Sequence, residues 1–501
     1  MTGLEARLFQ RTLAASPDRL ALYAALTDGG RRRDTMLFER TEGPSLLMDK
    51  AALRIECRGE SAALTALSPG GMAVLDALRE TAGAVRNGDR LTIHFPRTAA
   101  VDAEERLLAP NPFDALRRLL AIRTGLEEEA FAPALLGVVA FDHADFLEDL
   151  PRGQDDPLDF PDYIFWLAES LIVFRPGAKP LLLCAAFGAD ERLHNDAAER
   201  LSALVERCAH VPALPALPEN RVATPVEVDL DDRDYGAVVE RMQAHIARGD
   251  IYQVVPSRTF RAACADPLLA YAALRDLDPS PYRFFVAAPD HILFGASPET
   301  SVRVHRGAAG ATVEVKPIAG TRPRGATPDA DDRLEAAMRL DAKELAEHMM
   351  LVDLARNDVA RVSAPGTRRV ARLMTVERYA RVMHLVSSVT GTLRPGLDAL
   401  HALQACLNVG TLTGAPKIRA TQLLRQAERT KRGPYGGAVG WIDGRGGMDT
   451  GVVIRSAVVK DGIAFVRAGA GVVQESDPAR EADETRRKAS ALLSVLEGAG
   501  S

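Results

Sequence analysis

Residues 451–467 read Gly451-Val-Val-Ile-Arg-Ser-Ala-Val-Val-Lys-Asp-Gly-Ile-Ala-Phe-Val-Arg467 and carry the strongest local signal of a fold class in the chain. The run up to Val459 is rich in β-branched side chains, and Lys460-Asp-Gly462 has the composition of a tight turn. The strand pattern resumes at Ile463. The stretch therefore predicts two strands joined as an antiparallel hairpin.

The rest of the chain mixes short strand-like runs with amphipathic segments. Residues 135–141 and 181–187 are apolar runs typical of buried strands, and residues 112–122 have the spacing of an amphipathic helix. Helices of the length found in βαβ units do not separate the strands regularly. We therefore predict an α+β fold instead of a doubly wound parallel sheet.

A proline-rich stretch separates two halves of the chain. Pro212, Pro215, Pro218 and Pro225 interrupt any periodic pattern and favour an extended connector. At 501 residues the chain also exceeds the roughly 250 to 300 residues over which a single hydrophobic core grows. We predict an N-terminal region at residues 1–210, a connector at 211–225 and a C-terminal region at 226–501.

Composition and charge narrow the range of functions. A net charge of -6, without a long run of one sign, favours small molecules or another protein as partners over nucleic acid. No apolar run reaches the roughly 18 residues of a membrane-spanning helix, and the N-terminus lacks the apolar core of a signal peptide. The 5 cysteines are widely spaced and typical of reduced thiols. We expect a cytoplasmic protein with no membrane partner.

Two predicted helices each carry a pair of glutamates. Residues 341–358 have an apolar stripe and place Glu344 and Glu347 on one helical face. A helix near the C-terminus places Glu481 and Glu484 at the same spacing. Mg²⁺ prefers oxygen ligands and keeps several waters, so two direct and two water-mediated glutamates would hold it. The alternative is a capped and solvated helix face, which the spacing leaves open.

A glycine-rich stretch and a cation among apolar residues lie between these helices in the sequence. Residues 468–471 read Ala-Gly-Ala-Gly, so backbone N–H groups there could approach an anion closely. Arg455 stands in an apolar run, where burial is costly unless the guanidinium meets a carboxylate. A dicarboxylate substrate would supply that partner. A tight turn and an internal salt bridge are the alternatives.

Six ordered motifs occur in the C-terminal region: Pro317-Ile-Ala-Gly-Thr321, Lys343-Glu-Leu-Ala-Glu-His348, Leu351-Val-Asp-Leu-Ala-Arg-Asn-Asp358, Gly410-Thr-Leu-Thr-Gly-Ala-Pro-Lys417, Tyr435-Gly-Gly-Ala-Val-Gly440 and Glu481-Ala-Asp-Glu-Thr485. Taken together they resemble the chorismate-utilising enzymes, most closely the anthranilate synthase component I branch. The resemblance covers about residues 230–495 and extends more weakly into the N-terminal half. It implies large antiparallel sheets packed as a sandwich with helices on the outside.

The resemblance also implies a set of site residues. Catalytic roles fall to Gln253, Glu344, His384 and Thr411. Mg²⁺ would be bound directly by Glu347 and Glu484, and through water by Glu344 and Glu481. The carboxylates of chorismate would be surrounded by Gly320, Thr321, Tyr435, Arg455, Gly469, Ala470, Gly471 and Lys488.

The implied reaction is amination of chorismate by ammonia, followed by loss of pyruvate to leave anthranilate, with His384 assisting the second step. Isochorismate and salicylate synthases carry a lysine base where this chain has Gln253. Aminodeoxychorismate synthases carry a nucleophilic lysine where it has Ala319. Direct attack by ammonia is therefore expected. Since no glutaminase cysteine motif is present, ammonia would come from a separate glutaminase subunit, in a heterotetramer.

Other functions within and beyond the family stay open. A sister enzyme would stop at the aminated intermediate, aminodeoxyisochorismate, or at a hydroxylated one. A catalytically silent binding subunit would have no need for the four glutamates and His384. For an active enzyme the expected role is the first committed step of tryptophan biosynthesis, with anthranilate supply for a secondary-metabolite pathway as the alternative.

A departure from the family pattern concerns a tryptophan effector site. Tryptophan-regulated members carry Leu-Leu-Glu-Ser and Asn-Pro-Ser-Pro-Tyr-Met motifs, where this chain reads Leu37-Phe-Glu-Arg40 and Asp278-Pro-Ser-Pro-Tyr-Arg283. The effector residues implied are Glu39, Arg40, Pro281, Tyr282 and Arg283. Because a long cation adds bulk and a desolvation cost, we predict that tryptophan feedback is weakened or lost. The alternative is that the two arginines point outward or that the alignment is displaced near residue 40.

Overall fold

The computed structural model describes residues 4–125, 129–214, 225–307, 310–378 and 382–497. Most of the predicted connector, residues 215–224, lies outside these ranges, so the boundary between the two regions stays a prediction. Among the described residues, no helix combines the length and the apolar character needed to cross a membrane. The cysteines are buried free thiols, in agreement with the prediction of reduced cysteines.

The N-terminal region contains the first group of strands and helices. Its strands are β1 (Ala6–Thr12), β2 (Thr35–Arg40), β3 (Ser45–Arg58), β4 (Ser61–Ala66), β5 (Ala84–Asn87), β6 (Arg90–His94), β7 (Ala134–Val139), β8 (Tyr163–Phe174) and β9 (Leu181–Phe187). Its helices are α1 (Arg19–Leu26), α2 (Pro69–Leu78), α3 (Ala103–Leu108), α4 (Phe113–Leu120), α5 (Ala144–Leu147) and α6 (Glu191–Ala209), with a 3-10 turn at Phe141–His143.

The C-terminal region contains the second group. Its strands are β10 (Glu227–Val228), β11 (Gln253–Val254), β12 (Ser257–Ala263), β13 (Tyr282–Ala287), β14 (Ile292–Ser297), β15 (Thr300–Gly307), β16 (Gly310–Val315), β17 (Ile318–Pro323), β18 (Arg369–Arg378), β19 (Val382–Thr392), β20 (Gly414–Ala415), β21 (Ala438–Asp443), β22 (Met448–Val452), β23 (Ser456–Lys460) and β24 (Ile463–Gly469). Its helices are α7 (Asp232–Ala247), α8 (Pro267–Leu277), α9 (Pro328–Leu340), α10 (Ala342–Ala360), α11 (Ala399–Cys406), α12 (Lys417–Ala427) and α13 (Pro478–Glu497), with a 3-10 turn at Gly410–Leu412.

Side chains on β2 alternate between two hydrophobic layers. Met36 and Phe38 join a core dominated by strand residues of both regions, such as Trp166, whereas Leu37 packs in a core shared with helix residues such as Tyr271. Alternate residues of a strand point to opposite faces, so the strands pack face to face on the inside while helices cover the outside. This arrangement confirms the predicted α+β sandwich.

Strands of the two regions pair directly with one another. β2 pairs antiparallel with β13, which places Arg40 opposite Tyr282, and β7 pairs antiparallel with β21. Most of the strands thereby join one hydrogen-bonded network. The N-terminal region is therefore part of the sheet that carries the C-terminal motifs.

The predicted hairpin is present, with one difference. β23 and β24 pair antiparallel, and the two residues between them, Asp461 and Gly462, have positive φ angles of 51° and 77°, as a two-residue turn requires. The first strand is not continuous, however, because the chain leaves β22 after Val452 and resumes pairing at Ser456. Arg455, with a φ of 48°, lies in this break and not inside a strand, which corrects the prediction.

Both glutamate-bearing helices form where they were predicted. At the start of α10, Asp341 accepts a hydrogen bond from the N–H of Glu344 at 3.2 Å. At the start of α13, Asp477 accepts one from the N–H of Arg480 at 2.9 Å. These carboxylates cap helix N–H groups that have no partner within the helix. α10 packs on β17 and β19, and α13 packs on β24 and β12.

Candidate active site

The glycine-rich end of β24 leaves no room for side chains. A Cβ at Gly469 would lie 2.7 Å from the carbonyl oxygen of Pro256 and 3.2 Å from the hydroxyl oxygen of Tyr435. A Cβ at Gly471 would lie 2.9 Å from Nε2 of Gln253. Only glycine avoids these overlaps. Tyr435 and Gln253 therefore lie directly over this backbone, as expected for residues of one site.

The backbone N–H of Ala470 has hydrogen-bond partners within the protein, whereas the side-chain oxygen of Gln253 has none among the described residues. The N–H of Ala470 donates to the carbonyl of Pro256 at 3.2 Å and to the hydroxyl of Tyr235 at 3.3 Å. Gln253 is buried, and its Oε1 accepts no hydrogen bond from any described residue. A buried amide oxygen without a donor loses stability unless a ligand or water satisfies it. Gln253 is thus the better placed of the two to meet a ligand.

Arg455, Lys488 and Glu484 gather beside the glycine-rich end. Nη1 of Arg455 donates to the carbonyl of Lys488 at 2.7 Å, and Nζ of Lys488 donates to the carbonyl of Gly469 at 3.0 Å. Lys488 also pairs with Glu484 at 2.6 Å. Burial lowers the pKa of Arg455, although Tyr435 and Glu484 act in the opposite direction. The result is a cationic surface against a strand end, which suits an anionic ligand.

Glu299 is a site residue that the sequence prediction missed. It is buried between β14 and β15, and Oγ1 of Thr411 donates to its Oε1 at 2.7 Å. Burial raises the pKa of Glu299 to about 7, against the lowering influence of Thr411 and Lys488. A signal was available, since Glu299 is a single carboxylate shortly after the apolar strand β14. A carboxyl group with a pKa of about 7 is partly protonated at neutral pH, which suits general acid catalysis.

His384 lies within electrostatic reach of Arg455. It is buried on β19, opposite Thr321 of β17, and it is hydrogen bonded to the backbone of Gly320. Burial lowers its pKa, and the nearby charge of Arg455 adds to that shift. Gly320 has a φ of 62°, and a Cβ there would lie 3.3 Å from Oε2 of Glu344. The lowered pKa favours the neutral form of His384, and Gly320 lies between His384 and Glu344 of α10.

These contacts bring most of the predicted catalytic and binding residues together. We call the group the site cluster, consisting of Gln253, Glu299, His384, Thr411, Tyr435, Arg455, Gly469, Gly471 and Lys488. Its members are linked by the hydrogen bonds, close approaches and electrostatic influences given above. Gly320 and Glu344 lie at its edge.

The predicted metal ligands lie on two helices, α10 and α13. Oε1 of Glu344 pairs with Nη1 of Arg322 at 3.2 Å, and Glu484 pairs with Lys488. Within the described part of the chain, no three His, Cys, Asp or Glu side chains are close enough together to hold a metal ion. The carboxylate chemistry fits a hard cation such as Mg²⁺. The ligand set is not assembled, however, and Glu344 and Glu484 are each held by a protein cation.

The predicted effector residues form a second group, whose Tyr282 hydroxyl lies 2.9 Å from Oγ1 of Thr300, the residue after Glu299. The guanidinium of Arg40 lies 3.7 Å from the ring centroid of Tyr282, and its Nε lies 3.2 Å from Oδ2 of Asp449. The hydroxyl of Tyr282 donates to Oδ1 of Asp449 at 2.8 Å. We call Arg40, Tyr282 and Asp449 the Arg40 cluster. Arg40 is buried and so does not point outward, whereas Arg283 is half-buried. The displaced alignment near residue 40 stays an alternative.

Two neighbours extend this second group. Glu39 is fully buried, accepts a hydrogen bond from the hydroxyl of Tyr271 at 2.8 Å and lies 3.2 Å from Nη2 of Arg275. Arg283 lies opposite Glu39 in the β2–β13 register. The register therefore brings the two motifs suspected of binding an effector side by side.

Comparison with known proteins identifies related sequences and structures. Residues 79–494 match the family described as chorismate binding enzyme. The chain is 46% identical to "Anthranilate synthase component 1, pyocyanine specific" of Pseudomonas aeruginosa, over 99% of this chain and 95% of that protein. It is 43% identical to "Anthranilate synthase component 1" of Escherichia coli, over 93% of this chain and 92% of that protein.

Solved structures agree with the fold. The structure of anthranilate synthase component I from Streptococcus pneumoniae matches with a TM-score of 0.71 and 29% identity, over 90% of this chain and 92% of that one. The menaquinone-specific isochorismate synthase from Escherichia coli matches with a TM-score of 0.68 over 99% of this chain and 95% of that one. At 20% identity, the second match supports the fold alone.

Proposed function

The chain belongs to the chorismate-binding enzyme family, and we propose that it is the chorismate-converting subunit of an anthranilate synthase. It acts as a lyase. Ammonia adds at ring position 2 of chorismate while the 4-hydroxyl leaves as water, and the aminated intermediate then loses pyruvate to give anthranilate. Similarity over nearly the full length to proteins named anthranilate synthase component 1 supports this function.

The observation that carries the proposal is the environment of Glu299. Its pKa of about 7 keeps a large fraction protonated at neutral pH, and Thr411 fixes the position of its carboxyl group. Protonated Glu299 donates its proton to the departing 4-hydroxyl, which would otherwise leave as hydroxide. The neighbouring positive charges of Lys488 and Arg455 hold the carboxylates of the substrate.

Chorismate-binding enzymes are metal-dependent, and we propose Mg²⁺ as the metal here. Glu347 and Glu484 would bind it directly, and Glu344 and Glu481 through water. When bound, the ion would offset the charge of the ring carboxylate. Glu484 would then exchange its contact with Lys488 for the ion, which leaves the ammonium group of Lys488 available to a substrate carboxylate.

His384 acts in the second step. As a neutral imidazole it accepts the proton that leaves ring carbon 2 while the bond to the pyruvyl oxygen breaks and the ring becomes aromatic. Its hydrogen bond to the backbone of Gly320 orients the ring. Gln253, with its unpaired Oε1, accepts a hydrogen bond from the incoming ammonia.

The relatives named component 1 imply a partner subunit. We propose that this partner is a glutaminase that releases ammonia from glutamine, and that the two subunits form a heterotetramer. The pathway served is tryptophan biosynthesis or a secondary-metabolite route. The Arg40 cluster supports an enzyme without tryptophan feedback, since Arg40 stands at a position that the resemblance assigns to an effector contact.

A direct assay tests the proposed function. Purified protein is incubated with chorismate, Mg²⁺ and ammonium salt, and anthranilate is followed by its fluorescence. Ammonium replaces the glutaminase, so the chain should form anthranilate without its partner. Omitting ammonium should abolish the signal. Formation of isochorismate, or of an aminated ring that keeps its enolpyruvyl group, in place of anthranilate would contradict the proposal.

A further inference from the structure

A buried cluster of three charged side chains lies behind the site cluster. Glu428 accepts hydrogen bonds from Nε and Nη2 of Arg432 at 2.9 and 2.6 Å, and from Nη2 of Arg467 at 2.9 Å. It also accepts bonds from the N–H and the hydroxyl of Ser257 at 2.9 and 2.8 Å. All three charged side chains are at most 7% exposed. Neither the family motifs nor the proposed mechanism uses them.

Arg432 binds the backbone of two segments that carry site residues. Its Nη1 donates to the carbonyl of Leu412 at 2.6 Å, and its Nη2 donates to the carbonyl of Val255 at 2.7 Å. Leu412 follows Thr411, and Val255 comes two residues after Gln253. The planar guanidinium reaches both carbonyls and Glu428 at once, which a lysine ammonium cannot do.

Arg467 ties a third segment to the same carboxylate. Its Nη1 donates to the carbonyl of Lys431 at 2.8 Å, and its Nε donates to the hydroxyl of Ser257 at 2.8 Å. Ser257 lies opposite Gly469 in the β12–β24 register. Through Glu428 the loop leading to Tyr435, the glycine-rich strand end and the Thr411 turn therefore share one anchor.

The buried charges of this cluster indicate a role beyond packing. One carboxylate and two guanidinium groups leave a net charge of +1 inside the protein. Burial would raise the pKa of Glu428, but the two arginines reverse that effect and hold it below its usual value. Buried charges are often replaceable by apolar residues with no loss of stability, so stability alone is a weak reason to keep them.

We propose that Arg432 is a positioning residue of the reaction, which sets the backbone of Thr411 and Gln253 from behind the site. The inference rests on the proposed function, because Thr411 acts through Glu299. When Arg432 is shortened, the carbonyl of Leu412 loses its donor and the Thr411 hydroxyl moves away from Glu299. A displacement of this kind costs up to about 100-fold in turnover, even though Arg432 touches no reacting atom.

The test compares two buried arginines in the full chain. Arg432→Lys removes the forked contact, and Arg425→Lys is the matched control. Arg425 is also buried and ion-paired, with Asp142 at 2.6 Å and Asp145 at 2.8 Å, and its hydrogen bonds among the described residues go to Asp145 and Gln154, outside the site cluster. Both variants should lower Tm to a similar degree. Only Arg432→Lys should lower kcat with ammonium, by about 10- to 100-fold.

The pH profile separates positioning from simple destabilisation. The Thr411 hydroxyl and Lys488 are the groups that lower the pKa of Glu299. Loss of the Thr411 bond should therefore move the basic limb of the kcat profile to higher pH in Arg432→Lys and leave it in place in Arg425→Lys. The near-isosteric variant Glu428→Gln should shift the profile in the same direction, and it serves if Arg432→Lys does not fold.

Each outcome bears on a different claim. If the unaltered chain forms anthranilate but Arg432→Lys and Glu428→Gln keep its kcat and its pH profile, Arg432 does not position the site. Equal losses of kcat in Arg432→Lys and Arg425→Lys would likewise overturn the inference. If the unaltered chain forms no anthranilate from chorismate and ammonium, the proposed function fails instead.

Discussion

The site cluster and the Arg40 cluster are built from the same kinds of side chain, yet their charges are used differently. In the Arg40 cluster the guanidinium stacks on Tyr282 and pairs with Asp449, while Tyr282 donates to the same Asp449. These contacts fill the cluster with its own side chains, although Nε and Nη1 of Arg40 have no hydrogen-bond partner among the described residues. In the site cluster the side-chain oxygen of Gln253 has no hydrogen-bond donor among the described residues, and burial raises the pKa of Glu299 to about 7. The difference is that a guanidinium stacked on Tyr282 occupies the Arg40 cluster, whereas the site cluster offers a ligand a free amide oxygen and a carboxyl group that is partly protonated at neutral pH.

The largest effect in the site cluster should come from removing a proposed metal ligand. Glu484→Gln keeps the shape of the side chain but weakens its hold on a cation, so turnover should fall by about 1000-fold, equivalent to several kcal/mol of transition-state stabilisation. Anthranilate formation with excess Mg²⁺ measures this. Asp483→Asn changes the preceding residue, which pairs only with exposed arginines, and should retain activity. Full activity in Glu484→Gln would remove the residue from the metal site.

Removing the proposed general acid should have a similar or slightly smaller effect. Glu299→Gln cannot donate a proton, so kcat should fall by about 100- to 1000-fold. The sign of the pH dependence follows from the pKa of about 7. Activity that needs protonated Glu299 is present below pH 7 and is lost as pH rises above it. The variant should show no basic limb near pH 7, and an unchanged limb would assign it to another group.

His384 should affect the second step more than the first. His384→Met removes the imidazole but keeps a buried side chain, so the aminated intermediate should accumulate while anthranilate output drops about 10- to 100-fold. Chromatography of the reaction mixture separates the intermediate from anthranilate. Anthranilate output at the normal rate would exclude His384 from the mechanism.

The smallest effect on turnover belongs to the Arg40 cluster, where the expected changes are in stability and ligand binding. Arg40→Ser leaves Asp449 without its nearest cation, so stability should fall by about 3 kcal/mol. Tryptophan should then raise the Tm of this variant and inhibit it, because the volume of the guanidinium becomes free. Arg303→Ser is the control, since Arg303 also faces Asp449, at 3.5 Å. A response to tryptophan in the unaltered chain would contradict the comparison.

Local sequence patterns predicted much of the fold. The hairpin residues 460–462 and the two glutamate-bearing helices depend on neighbours in the chain, and these elements form where expected. The break at Arg455 was not predicted, because the surrounding residues are apolar and the positive φ reflects contacts with α13. The fold class could be predicted from local sequence patterns, whereas the break in the strand at Arg455 depends on tertiary contacts.

Site residues could be predicted from the sequence only where the family resemblance includes them. The resemblance included Thr411 and Lys488. The role of Glu299, however, depends on its burial and on its proximity to these two residues, which are far from it in the sequence. The Arg432 contacts join segments that are up to 177 positions apart, so no local pattern reveals them. The arrangement of the four glutamates around a metal stays a prediction.

The pairing of β7 with β21 affects how the chain is made. β7 ends at Val139 and its partner begins at Ala438. Synthesis of the roughly 300 residues between them takes about 15 to 60 s at ribosomal rates of 5–20 residues per second. For that interval a newly synthesised β7 edge has no native partner and is open to pairing with other chains. Nascent N-terminal regions of this protein are therefore expected to need chaperone protection.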